Sequence, residues 1–155
     1  MRILATLCGL SAFLLSCVSF AQPQGSMGDY LEMEKASVPF RKFADGWIVT
    51  ARKGDMAAVE RAISPNLAAR VGPEVVKRNL SDKVLPFFAA AKDVGKSVTI
   101  TQTTDGFGSR GFAYYMYIVP ASGSQRPFVL YVVDEKGKMV IANILVDHHV
   151  PDRHK

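Results

Sequence analysis

The residues best suited to binding a metal ion lie at the carboxyl end of the chain. All three histidines, His148, His149 and His154, occur there, close to Asp147 and Asp152. Imidazole and carboxylate groups together are ligands of divalent transition metals. Adjacent side chains on an extended chain point apart, however, and a chain terminus preorganises nothing. We therefore predict a polar C-terminal tail over residues 148–155, with no metal site and no cofactor.

A glycine pattern of the kind that binds dinucleotides occurs at residues 106–111, where the sequence GFGSRG matches G-x-G-x-x-G. In a dinucleotide site this pattern joins a strand to a helix whose amino terminus faces the phosphates. Here the residues that follow are those of a strand. The pattern therefore predicts a hairpin connection between two strands.

The charge distribution argues against nucleic acid as a partner. The formal net charge of +5 comes from 19 basic and 14 acidic residues, and no long block of like charges is present. Basic pairs such as Arg41-Lys42 and Lys77-Arg78 are separated along helical segments, whereas nucleic-acid binding calls for a concentrated basic stripe. We predict solvated helix faces and no nucleic-acid partner.

The first 21 residues have the features of an export signal. Arg2 precedes an apolar run over residues 3–15, which is shorter than the roughly 20 residues of a membrane-spanning helix. Ser19 and Ala21 supply the small side chains that a signal peptidase requires. We predict cleavage after Ala21 and export to the periplasm or the medium, with no membrane span in the mature form.

A lipid anchor at Cys17 is the alternative, because this cysteine follows the small residue Ser16 at the end of the apolar run. Val18 and Phe20 are apolar, however, where a lipid-anchored protein generally continues with a polar tether. Both cysteines, Cys8 and Cys17, lie within the signal. A mature soluble chain therefore has no disulfide, and a hydrophobic core must stabilise it.

Downstream of a polar lead-in at residues 22–29, the apolar spacing is first helical. A helical stretch is predicted at residues 30–36, and Pro39 is expected to start a new helix. One stripe follows the spacing i, i+3, i+4, i+7, i+8 and i+11: Phe40, Phe43, Ala44, Trp47, Ile48 and Ala51. Further helices are predicted over residues 56–63 and 65–71, with Asp55 and Ser64 as their N-caps. Another is predicted over residues 73–95, interrupted or kinked at Pro86.

Beyond Gly95 the spacing becomes strand-like. Apolar and polar residues alternate over residues 98–103, and further strands are predicted over residues 112–119, 128–133 and 139–146. Helices followed by such a meander predict one α+β domain over residues 30–147. Its N-terminal helices are expected to pack on a curved four-stranded antiparallel sheet.

A family resemblance rests on three segments: FADGW at residues 43–47, KGDMAAV at 53–59 and ISPNL at 63–67. Their order resembles that of the nuclear transport factor two-like superfamily, in which a long first helix ends in a Gly-Asp step. The resemblance covers residues 39–147 and is nearest to small exported bacterial members. It implies a half-open cone, often with an apolar cavity and often dimeric through its sheet, in enzymes and non-enzymatic binding domains alike.

The predicted ligand-binding residues are Trp47, on the helical stripe, and Tyr114 and Asn143, the polar residues at inward strand positions. Those positions are Phe112, Tyr114, Met116 and Ile118, and then Met139, Ile141, Asn143 and Leu145. The alternative is that Tyr114 is a hydrogen-bonded core residue and Asn143 a strand amide bonded to a neighbour.

Catalysis of the isomerase type, which the resemblance includes, needs a carboxylate base inside the cone and acidic donors at the enolate oxygen. The helical stripe has no acid, although Asp45 lies beside it. We therefore predict no catalytic residue and a non-enzymatic domain that binds a small apolar ligand. The alternative is a ketosteroid isomerase-like or polyketide cyclase-like enzyme that uses Tyr114, Asn143 and Asp45.

The opposite faces of the predicted strands are also apolar, whereas a sheet covered on one side alternates with polar residues. These faces contain Tyr115, Tyr117 and Tyr131, and tyrosine is frequent at protein interfaces. We predict these three as interface residues, in a homodimer or with an envelope protein. The alternative is that the chain termini or the early helix cover the face.

Overall fold

The computed structural model describes residues 26–95 and 99–147. The predicted export signal, both cysteines and all three histidines lie outside these ranges. The helices are α1 Met27–Arg52, α2 Met56–Arg61, α3 Pro65–Val71, α4 Pro73–Asn79 and α5 Leu85–Ala89, with a π-helical turn at Leu80–Val84. The strands are β1 Ala91–Val94, β2 Thr99–Thr104, β3 Arg110–Pro120, β4 Arg126–Glu135 and β5 Lys138–Val146. None of the helices in these ranges has the length and apolar character that crossing a membrane requires.

Helix α1 begins ahead of its predicted start at Tyr30. Ser26 and Asp29 form a capping box, in which each side chain accepts a hydrogen bond from the backbone N–H of the other, at 3.2 and 2.8 Å. The helix continues through Pro39, so the prediction that Pro39 starts a new helix is wrong. Pro39 is exposed, and solvent can therefore bond the carbonyl that loses its helical donor there.

The short helices α2 and α3 begin at the predicted caps. The Asp55 carboxylate accepts from the Ala58 amide at 3.0 Å, and Ser64 Oγ accepts from the Leu67 amide at 3.1 Å. Gly72, with φ of 91°, ends α3 and precedes α4. These two helices therefore change direction at a backbone conformation that glycine adopts most easily.

The predicted interruption at Pro86 takes the form of the π-helical turn. Pro86 therefore lies in the first turn of α5. Proline tolerates this position well, because the backbone N–H groups of a first turn have no acceptor within their own helix. Helix α5 ends at Ala89, and Ala91–Val94, expected to be helical, is strand β1. This prediction was wrong because β1 is set by antiparallel pairing to Ile118 and its neighbours in β3.

All five strands form one antiparallel sheet in the order β1-β3-β4-β5, with β2 beside β1 on the same edge of β3. Residues 106–109 connect β2 to β3, and residues 110 and 111 begin β3, which confirms the hairpin predicted for the glycine pattern. At the step between β1 and β2, the Tyr117 ring lies against Gly95 so closely that a side chain at residue 95 would not fit.

A β-bulge in β5 reverses part of the predicted side-chain alternation. Tyr131 and Val132 are consecutive in β4, yet they pair with Asn143 and Ile141, which are two residues apart. Ala142 is therefore the extra residue of the bulge. Met139 and Ile141 face the helices as predicted, but beyond the bulge Ile144 and Val146, in place of Leu145, pack against the same core.

Strand β5 also receives a short partner from the helical half of the chain. Ile63 forms a parallel bridge with Ile141. The Ser64 amide donates to the Ile141 carbonyl at 2.9 Å, and the Ile141 amide donates to the Ala62 carbonyl at 2.8 Å. The connection between α2 and α3 is thereby fixed to the edge of the sheet.

The predicted α+β class, with N-terminal helices packed on an antiparallel sheet, is confirmed, and the sheet has five strands instead of four. The main core lies between the helices and one face of the sheet. It includes Ala44, Trp47, Ile48 and Ala51 of the predicted helical stripe, and all four inward residues predicted for β3. The arrangement is consistent with a cone-like fold.

Candidate functional site

Aromatic side chains fill the space between the helices and the sheet. The Phe88 and Phe128 rings meet edge to face with centroids 5.1 Å apart, and Trp47 meets Phe88 in the same way at 5.6 Å. Phe87 contacts both phenylalanines. Such edge-to-face pairs are favourable beyond the area that they bury. The cavities of the described residues therefore lie at the margins of this core.

Trp47, predicted to contact a ligand, belongs to this core. It is 4% exposed, and its Nε1 donates to the Val59 carbonyl at 3.3 Å. The bond satisfies the one polar group of the indole and fixes α1 to α2. Trp47 lines neither of the two cavities described below.

Tyr114 is fully buried, and its hydroxyl donates to the Ser37 carbonyl of α1 at 2.8 Å. Ser37 is itself buried, and its Oγ donates to the Glu34 carbonyl at 2.7 Å. Burial raises the pKa of Tyr114, so the phenol is a neutral donor at physiological pH. Its contacts are those of a hydrogen-bonded core tyrosine.

Asn143 lies at the bulge of β5, where its side-chain oxygen accepts from the Ile144 amide at 2.9 Å. Asn143 pairs with Tyr131 of β4. Of the three predicted ligand-binding residues, it is the one that lines a cavity described here. That cavity runs between α3, α4, the π-helical turn and β5, and we call it the α3–β5 groove.

The α3–β5 groove has a volume of about 260 Å³. Its wall is aliphatic: Ile63, Leu67, Val71, Val75, Val76, Leu80, Val84 and Ile144. Gly72 separates α3 from α4, and both helices contribute side chains to the wall. Val71 belongs to this wall and is 40% exposed, so it lies at the entrance of the groove.

Three polar residues line the same groove: Arg70, Asn79 and Asn143. The Arg70 guanidinium lies 5.8 Å from the centroid of the Phe107 ring, a cation–π contact with the tip of the β2–β3 hairpin. An apolar wall with a few polar groups is the usual composition of a small-molecule site. The volume is just below the roughly 300 Å³ of the smallest common ligand pockets, which limits the occupant to a small molecule.

Asp45, the carboxylate considered for catalysis, lies elsewhere. It is exposed on α1 and lines an open cleft of about 510 Å³ between α1 and β1, which we call the α1–β1 cleft. Strands β1 and β5 are at opposite edges of the sheet, so Asp45 and Asn143 are far apart. The hydroxyl of Tyr114 is used in the core between them. The three residues of the enzymatic alternative do not converge on one cavity.

The predicted interface tyrosines lie on the other face of the sheet. Tyr115, Tyr117 and Tyr131 are partly buried, and burial together with the neighbouring Tyr115 raises the pKa of Tyr131. Tyr131 also packs against a second small cluster, formed by Val133, Val140 and Ala142. No helical residue belongs to this cluster. The assignment of the tyrosines to an interface remains a prediction.

Sequence reasoning did not single out the aliphatic residues of the groove. Leu67 lies in the helix predicted over residues 65–71, and Val75 and Leu80 lie in the one predicted over residues 73–95, but their spacing does not mark a binding site. A signal was nevertheless present, because Gly72-Pro73 ends one apolar helix and starts the next.

Within residues 26–95 and 99–147 no group of three histidine, cysteine, aspartate or glutamate side chains is arranged to hold a metal ion. No protein-family model, curated protein or solved structure matches the chain. The assignment of a function therefore depends on the geometry of the described residues.

Proposed function

We propose that this protein is an exported, non-enzymatic domain that binds a small apolar molecule in the α3–β5 groove. The observation that carries the proposal is the groove itself, an aliphatic wall with Arg70, Asn79 and Asn143 among its lining. The wall removes hydrocarbon from water, which is favourable by about 25 cal/mol per Å². The polar residues orient one polar end of the ligand.

Export and family membership are part of the same proposal. The apolar run and small residues before Gln22 support cleavage and release to the periplasm or the medium. The order of helices followed by an antiparallel sheet supports membership of the nuclear transport factor two-like superfamily. Aromatic side chains fill the space between the helices and the sheet, and this supports a ligand site at the edge of the core, in the α3–β5 groove.

The separation of Asp45, Tyr114 and Asn143 supports the non-enzymatic interpretation. Proton transfer needs a base within hydrogen-bond reach of the reacting carbon and a donor at the developing oxyanion. Here the buried phenol is bonded to Ser37, and the carboxylate lies in a different cavity from the amide.

A titration with 1-hexanol, a neutral probe with an apolar chain and one hydroxyl, tests the proposal. Amide resonances from residues 63–84 and 143–144 are expected to shift in heteronuclear NMR. Val71→Phe fills the entrance from an exposed position and is expected to weaken binding by about tenfold, the effect of losing roughly 1.4 kcal/mol.

Val38→Phe is the matched control, because Val38 is equally apolar and exposed on α1 but does not line the groove. It is expected to bind 1-hexanol as the unaltered protein does. Resonance shifts confined to residues outside the groove would refute the proposal. So would equally tight binding of 1-hexanol by Val71→Phe and the unaltered protein. Native mass spectrometry of protein purified from its own host would then identify any retained ligand by mass.

A further inference from the structure

The α1–β1 cleft has a chemical character different from that of the α3–β5 groove. Its floor includes Met116 of β3, and Ile48, Val49 and Val94 provide apolar walls. Four charged residues line it as well: Arg41, Asp45 and Arg52 from α1, and Asp93 from β1. It is therefore an amphiphilic cleft at the opposite edge of the sheet.

Arg41 is the unusual member of this set. Its Nε is shielded from solvent and has no hydrogen-bond partner, and it is the one such buried side-chain atom among the described residues. Buried donors in folded proteins are nearly always paired. A guanidinium also presents several N–H groups in a planar fork that matches a carboxylate.

The other cationic group of the cleft is already engaged. Arg52 donates to the Ala91 and Lys92 carbonyls at 3.1 and 2.9 Å, and so fastens the end of α1 to the start of β1. Arg52 is thus a structural residue of the cleft wall. Of the two arginines of the cleft, Arg41 is therefore the one available to pair with an anionic ligand.

The nearby carboxylates do not neutralise Arg41. Asp45 is one turn further along α1, but the ion pair that the described residues form within 4.0 Å is Arg126 with Asp147. Asp93 accepts from the Val94 amide at 2.8 Å. Arg41 and Asp45 both act electrostatically on the buried Tyr114 hydroxyl, where they oppose each other. Arg41 therefore lines the cleft without a hydrogen bond or an ion pair to another described residue.

The two carboxylates and the apolar walls restrict the class of anion. Asp45 and Asp93 repel a second negative charge in the same cleft, so a singly charged group is favoured over a doubly charged one. Ile48, Val49 and Met116 favour a hydrocarbon or aromatic body next to that group.

We propose that the α1–β1 cleft binds a small apolar monocarboxylate, with the carboxylate paired to Arg41 and the hydrocarbon body against Met116 and its apolar neighbours. This site is separate from the α3–β5 groove and does not depend on it. Each site can be occupied or lost without the other.

A titration with sodium benzoate at constant ionic strength tests the site, and inorganic phosphate is titrated as a second anion. Benzoate is expected to shift amide resonances of residues 41–52, 93–95 and 116, and to bind more tightly than phosphate. Arg41→Gln is expected to weaken benzoate binding by about tenfold or more, because it removes a charged, bidentate donor.

Lys42→Gln is the matched control. Lys42 is the next residue on α1 and is exposed, so the substitution removes the same charge without touching the cleft. It is expected to leave benzoate binding nearly unchanged. Equal weakening by both variants would show that only general surface charge attracts the anion, and would overturn the proposal.

Asp45→Asn provides a test that does not alter Arg41. Asp45 is exposed, so the fold is expected to tolerate the change, and the loss of repulsion is expected to tighten benzoate binding by about two- to fivefold. Unchanged or weaker binding would contradict the site. Tighter binding of phosphate than of benzoate would also contradict the site. The same holds if benzoate shifts only the resonances of residues in the α3–β5 groove.

Discussion

A single hydroxyl joins the longest helix to the centre of the sheet. Tyr114 and Ser37 are 77 residues apart in sequence, yet the phenol of one donates to the carbonyl of the other. The acceptor lies two residues before Pro39, in the part of α1 where one backbone hydrogen bond is missing. This contact holds the irregular section of the helix against β3.

Tyr114→Phe removes that hydroxyl and keeps the ring. We expect the free energy of unfolding to fall by about 1 kcal/mol, the usual net value of one buried hydrogen bond. Urea denaturation followed by circular dichroism measures the change. Tyr30→Phe, at a site 57% exposed on the same helix, is the control and is expected to change stability by less than about 0.5 kcal/mol. Equal effects in the two variants would show that the Ser37 contact contributes nothing.

The sequence predicted the position of Tyr114 but not its role. Alternation along β3 placed it inward with Phe112, Met116 and Ile118, and all four are core residues. Its partner could not be identified, because a backbone carbonyl 77 residues away has no signature in the sequence. The same limit applies to Arg41, whose unpaired Nε depends on the packing of α1 against β1 and β3.

The β2–β3 hairpin depends on one carboxylate at its start. Asp105 Oδ1 accepts from the Phe107 and Ser109 amides at 2.7 and 3.0 Å, and Asn66 Nδ2 donates to Oδ2 at 3.3 Å. Burial acts to raise the pKa of Asp105, but these hydrogen bonds outweigh it and lower the pKa below its ordinary value. The ionised form is therefore the one that stabilises the hairpin.

Asp105→Asn tests this dependence on pH. Because the folded pKa is below the unfolded one, the carboxylate stabilises the fold above about pH 4, and this contribution is lost as the pH falls through the folded pKa. The variant is expected to be less stable than the unaltered protein at pH 7, with a difference that narrows as the pH falls below about 4. Urea midpoints across this range measure it.

Glu32→Gln serves as the control, since Glu32 is exposed and accepts no hydrogen bond from the described residues. Its urea midpoint is expected to follow that of the unaltered protein at every pH. A difference between Asp105→Asn and the unaltered protein that stays constant with pH would contradict the role of the ionised carboxylate.

Helices and strands were predictable from the sequence where the local residue pattern favours the same structure as the contacts made in the folded protein. The capping residues Asp55 and Ser64 and the twofold alternation of β3 act within a few residues, and the structure confirms each. Strand β1 has no such pattern and exists through its pairing with β3. The bulge at Ala142 likewise depends on register with β4, so the inward placement of Leu145 was wrong.

At the scale of the molecule, the proposed export signal bears on which part of the chain folds. The proposed cleavage after Ala21 would leave Gln22 as the first residue and remove both cysteines. When the full chain is expressed in bacterial cells, we expect an intact mass corresponding to residues 22–155 without modification. Cys17→Ser is expected to give the same product.

Ala21→Arg is the matched variant, because a large charged side chain does not fit the peptidase pocket, and it is expected to leave the precursor uncleaved. A mass that begins at Cys17 with added acyl chains would contradict cleavage after Ala21 and establish lipid anchoring instead.

The bridge from Ile63 to Ile141 joins the helical half of the chain to its last strand. Trp47 and Phe88 bury their rings against Phe128 and other residues of the sheet, and a ribosome synthesises that sheet only after the helices. Contacts between distant parts of a sequence form slowly and late. The helical half is therefore expected to reach its final packing only after the sheet has been synthesised. Such a delay would suit the proposed export, because a chain that is not yet folded can still pass through a secretion channel.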